Sequence, residues 1–222
     1  MNRHLCALLF AGVTASIGFV GQEPTSSQYF PPRTFGDIEG RFYAAALQQM
    51  GEAPLAPTQS REREVYRFLW APSFHALAVV RLERDGDRIT VSATRVQRGA
   101  GGNRWGKVEP RIQKTLTPAE WSLLSEQLSA ARFWFMTPKE PEKRDAAGHQ
   151  IIGLDGDTWI LEAADARRHH VVARWYHEEY PAFESACYCM LEWSGLRQAL
   201  MDIEQYGHGV RDRLTTRCTR RP

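Results

Sequence analysis

The 222-residue chain is 43% hydrophobic, 24% charged and 11% aromatic, and its formal net charge is +2. These figures fit one globular domain with its own core. They exclude a disordered chain, a disulfide-dense mini-protein, a polytopic membrane protein and a strongly basic binder of nucleic acid, so no nucleic-acid partner is expected.

Met1-Asn2-Arg3-His4 is a positive start, residues 5–20 carry no charge, and Gln22-Glu23-Pro24 breaks the run. That order is the pattern of a secretory signal peptide. Val13-Thr14-Ala15 and Ser16-Ile17-Gly18 both offer cleavage sites. The run falls short of the ~20 residues of a full span, so a retained N-terminal anchor over residues 1–21 is the second reading. The expected location is the periplasm, or the inner membrane if the anchor is uncleaved. Membrane contact is then limited to residues 5–20, with a weak contribution from the basic C-terminal tail. Cys6 precedes the apolar run, which does not fit a lipoprotein signal.

Residues 22–36 contain Pro24, Pro31 and Pro32 and read as a linker. Asp37 is placed as an N-cap, and Ile38, Phe42, Ala45 or Ala46, and Met50 follow at helical spacing up to Gly51. Residues 64–70 alternate as a strand with apolar groups on both faces. Residues 76–84 and 87–95 flank Asp85-Gly86, a hairpin signal. A turn there pairs Leu82 with Ile89, Val80 with Val91 and Ala78 with Ala93. A strand is expected over residues 108–115. Thr117-Pro118-Ala119-Glu120 is a capping box that opens a helix through Trp121, Leu124 and Leu128. Residues 137–149 are a charged loop, residues 153–163 and 169–175 a second hairpin, and residues 181–194 an amphipathic helix stopped by Gly195. The tail 207–222 sets five arginines against Asp212. The fold class is α+β: a single domain over residues 37–206, with an antiparallel sheet of two hairpins and further strands, packed by about three helices on one face.

Pairing Glu162 with His170 across the second hairpin puts Glu162, His170 and Arg174 on one face, with Asp155 and Asp157 at the preceding turn. A carboxylate beside an imidazole can perform acid–base chemistry, and an arginine can hold an anion. The same charges across a hairpin also serve as sheet stabilisers, worth under ~1 kcal/mol. Glu162, His170 and Asp155 are therefore the candidate catalytic set. Glu162, His170, Arg174, Asp155 and Asp157 are the candidate ligand-binding set.

Residues 101–107 match P-loop spacing up to Lys107, but Val108 replaces the required Ser or Thr and the loop joins two strands. His177-Glu178-Glu179-Tyr180-Pro181 lacks the second histidine of a zinc-protease helix. No metal and no cofactor are expected. After export three cysteines remain. Cys187 and Cys189 diverge by ~200° on a helix, with Cys187 on the core side and Cys189 outward, which pairs Cys189 with Cys218.

Met50-Gly51-Glu52, Tyr66-Arg67-Phe68-Leu69-Trp70, Leu154-Asp155-Gly156, Trp159-Ile160-Leu161-Glu162, His170-Val171-Val172 and Ser194-Gly195-Leu196 occur together. As a set they resemble a group of uncharacterised bacterial proteins, many with an N-terminal signal, over residues 40–200. The resemblance implies an envelope location and a shared α+β domain, and it assigns no catalytic residue.

The expected function is that of an exported envelope domain that binds another envelope protein or a small polar ligand without catalysis. A hydrolase-like enzyme using Glu162 and His170 and a membrane-anchored structural protein are the rivals. A binding role predicts an exposed aromatic patch, from Trp105 or Tyr66.

Overall fold

Runs of alternating and continuous apolar residues between turn signals build an antiparallel sheet of seven strands: β1 (Arg63–Pro72), β2 (Leu77–Asp85), β3 (Arg88–Arg98), β4 (Trp105–Val108), β5 (Ile112–Thr115), β6 (Asp157–Ala164) and β7 (His169–Arg174). The order is β4-β3-β2-β1-β6-β7, with β5 also on β3. Among the described residues four helices accompany it, α1 (Ser26–Tyr29), α2 (Asp37–Gln49), α3 (Pro118–Ala130) and α4 (Pro181–Ser194), giving an α+β single-domain arrangement. The computed structural model describes residues 25–58, 60–99, 105–150, 156–175, 179–196 and 218. The expected signal segment 1–21, Asp155, and the tail other than Cys218 lie outside the described residues.

The helices lie on both faces of the sheet, a correction to the expectation of one. Tyr66, Phe68, Trp70, Val80, Leu82, Val91, Trp159, Leu161 and Val172 meet α3 and α4. Leu69, Ala71, Val79, Ile160, Val171 and Ala173 meet α2. The physical reason is parity: successive residues of a strand face opposite ways, and the central strands are apolar on both sides, so each side must be covered. Residues 25–36 are likewise not a bare linker. Tyr29, Phe30, Thr34 and Phe35 are buried, with Phe30 edge-on to Phe35 at 4.8 Å.

Local signals place the helix ends. Glu120 Oε2 accepts from the Thr117 N–H at 2.7 Å while Thr117 Oγ1 accepts from the Glu120 N–H, the reciprocal capping box expected. Asp37 is the first helical residue rather than the cap, which is Gly36. Its carboxylate still faces the positive end of the helix. Gly195 ends α4 with φ of 82°. The strand expected at 108–115 is divided, because Pro110 has no N–H for the ladder. β4 and β5 therefore pair separately with β3.

Both hairpins depart from the expected register. In the first, Gly86 and Asp87 form the turn and Asp85 faces Arg88, so Leu82 pairs with Val91 and Val80 with Ala93. Gly86, at φ 58°, holds the first turn position, as a type II′ turn requires. This two-residue shift leaves each side chain on its expected face. In the second, Ala163 faces His170 and Glu162 faces Val171. The connection is a four-residue turn organised by Asp165, whose Oδ1 accepts from the N–H groups of Arg167 and Arg168. The slip is by one residue, which reverses the relation between the two faces.

Candidate functional site

The one-residue slip separates the expected acid–base pair. Glu162 faces α2, whereas His170 faces the side of α3 and α4. Glu162 is fully buried. Arg67 Nε donates to its Oε1 at 2.8 Å, and His169 Nε2 lies 3.3 Å from its Oε2. Arg67 is itself fully buried and donates through Nη1 to the Ala53 carbonyl at 2.6 Å. Glu52, just past α2, accepts from Arg111 Nη1 at 2.7 Å and lies 3.5 Å from Arg81 Nη1. Tyr29 Oη donates to the Glu52 carbonyl at 2.8 Å. This network welds the connector after α2 to the sheet. With no open side toward a substrate, Glu162 acts as a structural counterion.

The remaining candidates are dispersed as well. Asp157 Oδ2 accepts from the indole N–H groups of Trp70, at 2.6 Å, and of Trp159, bridging β1 and β6. Arg174 is buried, donates to the carbonyls of Thr137 at 2.9 Å and Ala173 at 2.7 Å, and lies 4.7 Å from the centre of the Tyr180 ring. It fastens the segment after α3 to the end of β7. Among the described residues, no group of three His, Cys, Asp or Glu is placed to hold a metal ion.

His170 leads to a groove on the α3 side that combines aromatic and charged groups. Its ring packs edge-on to Phe133 at 5.2 Å and lies 6.1 Å from Trp134. Phe133, Trp134 and Phe135 form a 3-10 turn directly after α3. Arg132 precedes them in the left-handed conformation, φ 53°, unusual for a residue with a side chain. That reversal sends Phe133 into the core and leaves Phe135 81% exposed. The turn, together with Glu64 and Tyr66 of β1 and Ser125, Leu128 and Ser129 of α3, encloses a groove of about 280 Å³.

The groove is lined by aromatic rings with one arginine, Arg132, and one glutamate, Glu64. Arg168 lies over the Trp134 ring at 3.6 Å and Arg132 over Phe135 at 5.8 Å. Tyr66 Oη donates to Glu64 Oε1, whose other oxygen accepts from Arg84 Nη2 at 3.2 Å. Burial, with the Glu64 carboxylate alongside, raises the Tyr66 pKa, so the phenol remains a proton donor. Tyr66 is therefore the floor of the groove and not an exposed patch, and Trp105 packs against Phe42 at 4.9 Å. Phe135 is the exposed ring at this groove, and neither expectation named it. The signal was present in Arg132-Phe133-Trp134-Phe135-Met136, an aromatic run placed where the helical pattern stops.

Burial lowers the His170 pKa below its ordinary value of 6.5, against hydrogen bonds to the main chain of Met136 and Phe133 that act the other way. The unfolded chain then takes up a proton near pH 6.5 that the folded chain resists. Stability from His170 is expected in full above pH 6.5 and to decline as pH falls below it. Urea midpoints at pH 7 and pH 5 check this: the wild type should lose more than His170→Asn, and equal losses would disprove it.

The structure pairs Cys189 with Cys218 in a disulfide and leaves Cys187 as a buried thiol. Cys189 is buried rather than outward, facing Gln127 of α3, because α4 is enclosed on several sides. No described helix is long and apolar enough to cross a membrane. No family model, no curated protein and no solved structure matches this chain.

Proposed function

We propose that this chain is an exported envelope domain that works by binding and not by catalysis, and that its binding site is the groove between β1, the end of α3 and the Phe133–Phe135 turn. The observation that carries the reading is Phe135, a large ring 81% exposed at the rim of a groove floored by Tyr66 and walled by Leu128 and Phe133. Exposed aromatic side chains beside a concave site are the usual anchors of recognition. Export is supported by the positive start and uncharged run of residues 1–20. The catalytic rival loses its support where Glu162 is sealed against Arg67.

A photo-cross-linking residue placed at position 135 in cells tests the reading. One discrete adduct is expected, absent when the same residue replaces Phe74, which is 73% exposed elsewhere. No adduct at position 135, or the same adducts at both positions, would overturn it.

A further inference from the structure

We infer that the groove recognises an acidic peptide segment, with a carboxylate meeting Arg132 and a neighbouring apolar side chain entering beside Phe135; this rests on the binding reading above. The charges around the groove are not equally matched. Arg84 is paired with Glu64 at 3.2 Å, and Arg168 with Asp165 at 3.0 Å. Arg132 has no carboxylate partner among the described residues. It lines the groove with its guanidinium set over the exposed Phe135 ring. An unmatched guanidinium beside an exposed ring presents a planar donor fork next to an apolar surface, which suits a carboxylate adjacent to an apolar group.

The ring arrangement narrows the ligand class further. A sugar needs an open aromatic face on which to stack. Trp134 is covered by the Arg168 guanidinium at 3.6 Å and has His170 6.1 Å away, and the Arg132 guanidinium sits over the Phe135 ring at 5.8 Å. The volume of about 280 Å³ suits one or two side chains rather than an extended saccharide. A membrane surface is a poorer fit, because the exposed ring stands beside a concavity instead of on a broad apolar protrusion. Arg132 adopts a left-handed backbone, a conformational cost that a glycine would relieve.

The test uses the protein lacking residues 1–21 and two capped hexapeptides, one with glutamates flanking a central leucine and one with glutamines in their place. Binding is followed by tryptophan fluorescence and by NMR shifts of Phe135 and Trp134. The acidic peptide is expected to bind about tenfold more tightly than the neutral one, the effect of one charge-assisted hydrogen bond. Arg132→Gln and Arg132→Gly should both abolish that preference. The glycine variant should remain at least as stable as the wild type, which separates recognition from folding. Equal binding of the two peptides, or a preference that survives in both variants, overturns the acidic-peptide inference. So does binding only to phosphatidylglycerol vesicles, or binding of neither peptide. In those cases an intact adduct at position 135 leaves the binding reading standing, whereas loss of the adduct removes that reading itself.

Discussion

Replacing Arg67 with methionine is expected to lower the unfolding free energy by about 3–5 kcal/mol, because it leaves a buried charge without its partner. Glu162 has no exposed surface. Once the guanidinium is removed, its near polar neighbour is His169 Nε2, 3.3 Å from Oε2. The same substitution frees the Ala53 carbonyl, which accepts from Arg67 Nη1 at 2.6 Å, and removes a cation 3.8 Å from Glu52. The double variant Arg67→Met with Glu162→Leu should regain most of the loss, since it removes the charge that was stranded. Urea unfolding of the two single variants and the double completes the cycle. A single-variant loss below about 1 kcal/mol, within the ordinary range of surface substitutions, would show that Glu162 is not held as described.

Removing the Cys189–Cys218 bridge should cost about 3–4 kcal/mol. The two cysteines are 29 residues apart, and a crosslink closing a loop of that size restricts the unfolded chain by about that amount in the chain-entropy account. The midpoint of thermal unfolding should drop by roughly 10 °C for a domain of this size. Cys189→Ala with Cys218→Ala is the suitable variant, because a serine at position 189 would place a hydroxyl in the interior. Cys187 supplies an internal control. Burial raises its thiol pKa well above the ordinary value, so it should resist alkylation until the chain unfolds. Alkylation of Cys189 in the folded, unreduced protein would refute the bridge.

How far the fold was legible depended on whether a signal was local. The capping box at Thr117 and Glu120 holds as read, because its partners lie three residues apart and the bonds form within one turn. The stop of α4 at Gly195 is local in the same way. Strand parity was also readable, and in the first hairpin it survived an error of two residues because the side-chain period is two. The second hairpin shows where that reasoning fails. Its turn is set by side-chain acceptance at Asp165 rather than by a glycine pair, and an error of one residue moved Glu162 to the opposite face from His170. The candidate site followed the register and dissolved with it.

Composition and pattern alone determined the α+β class, most of the strands and the capping of α3, each of which follows from residue type at short spacing. The pairing of Cys189 with Cys218 was reached from an outward-facing Cys189 that the structure buries. Tertiary structure decided that helices cover both faces, that residues 25–36 join the core, and that Arg67 and Glu162 neutralise each other from positions 95 residues apart. It also decided that the chain reverses at Arg132 and so leaves Phe135 outside. These outcomes depend on which surfaces meet once the sheet is assembled. The energy of burying a charge or a ring belongs to that meeting and is written in no single segment.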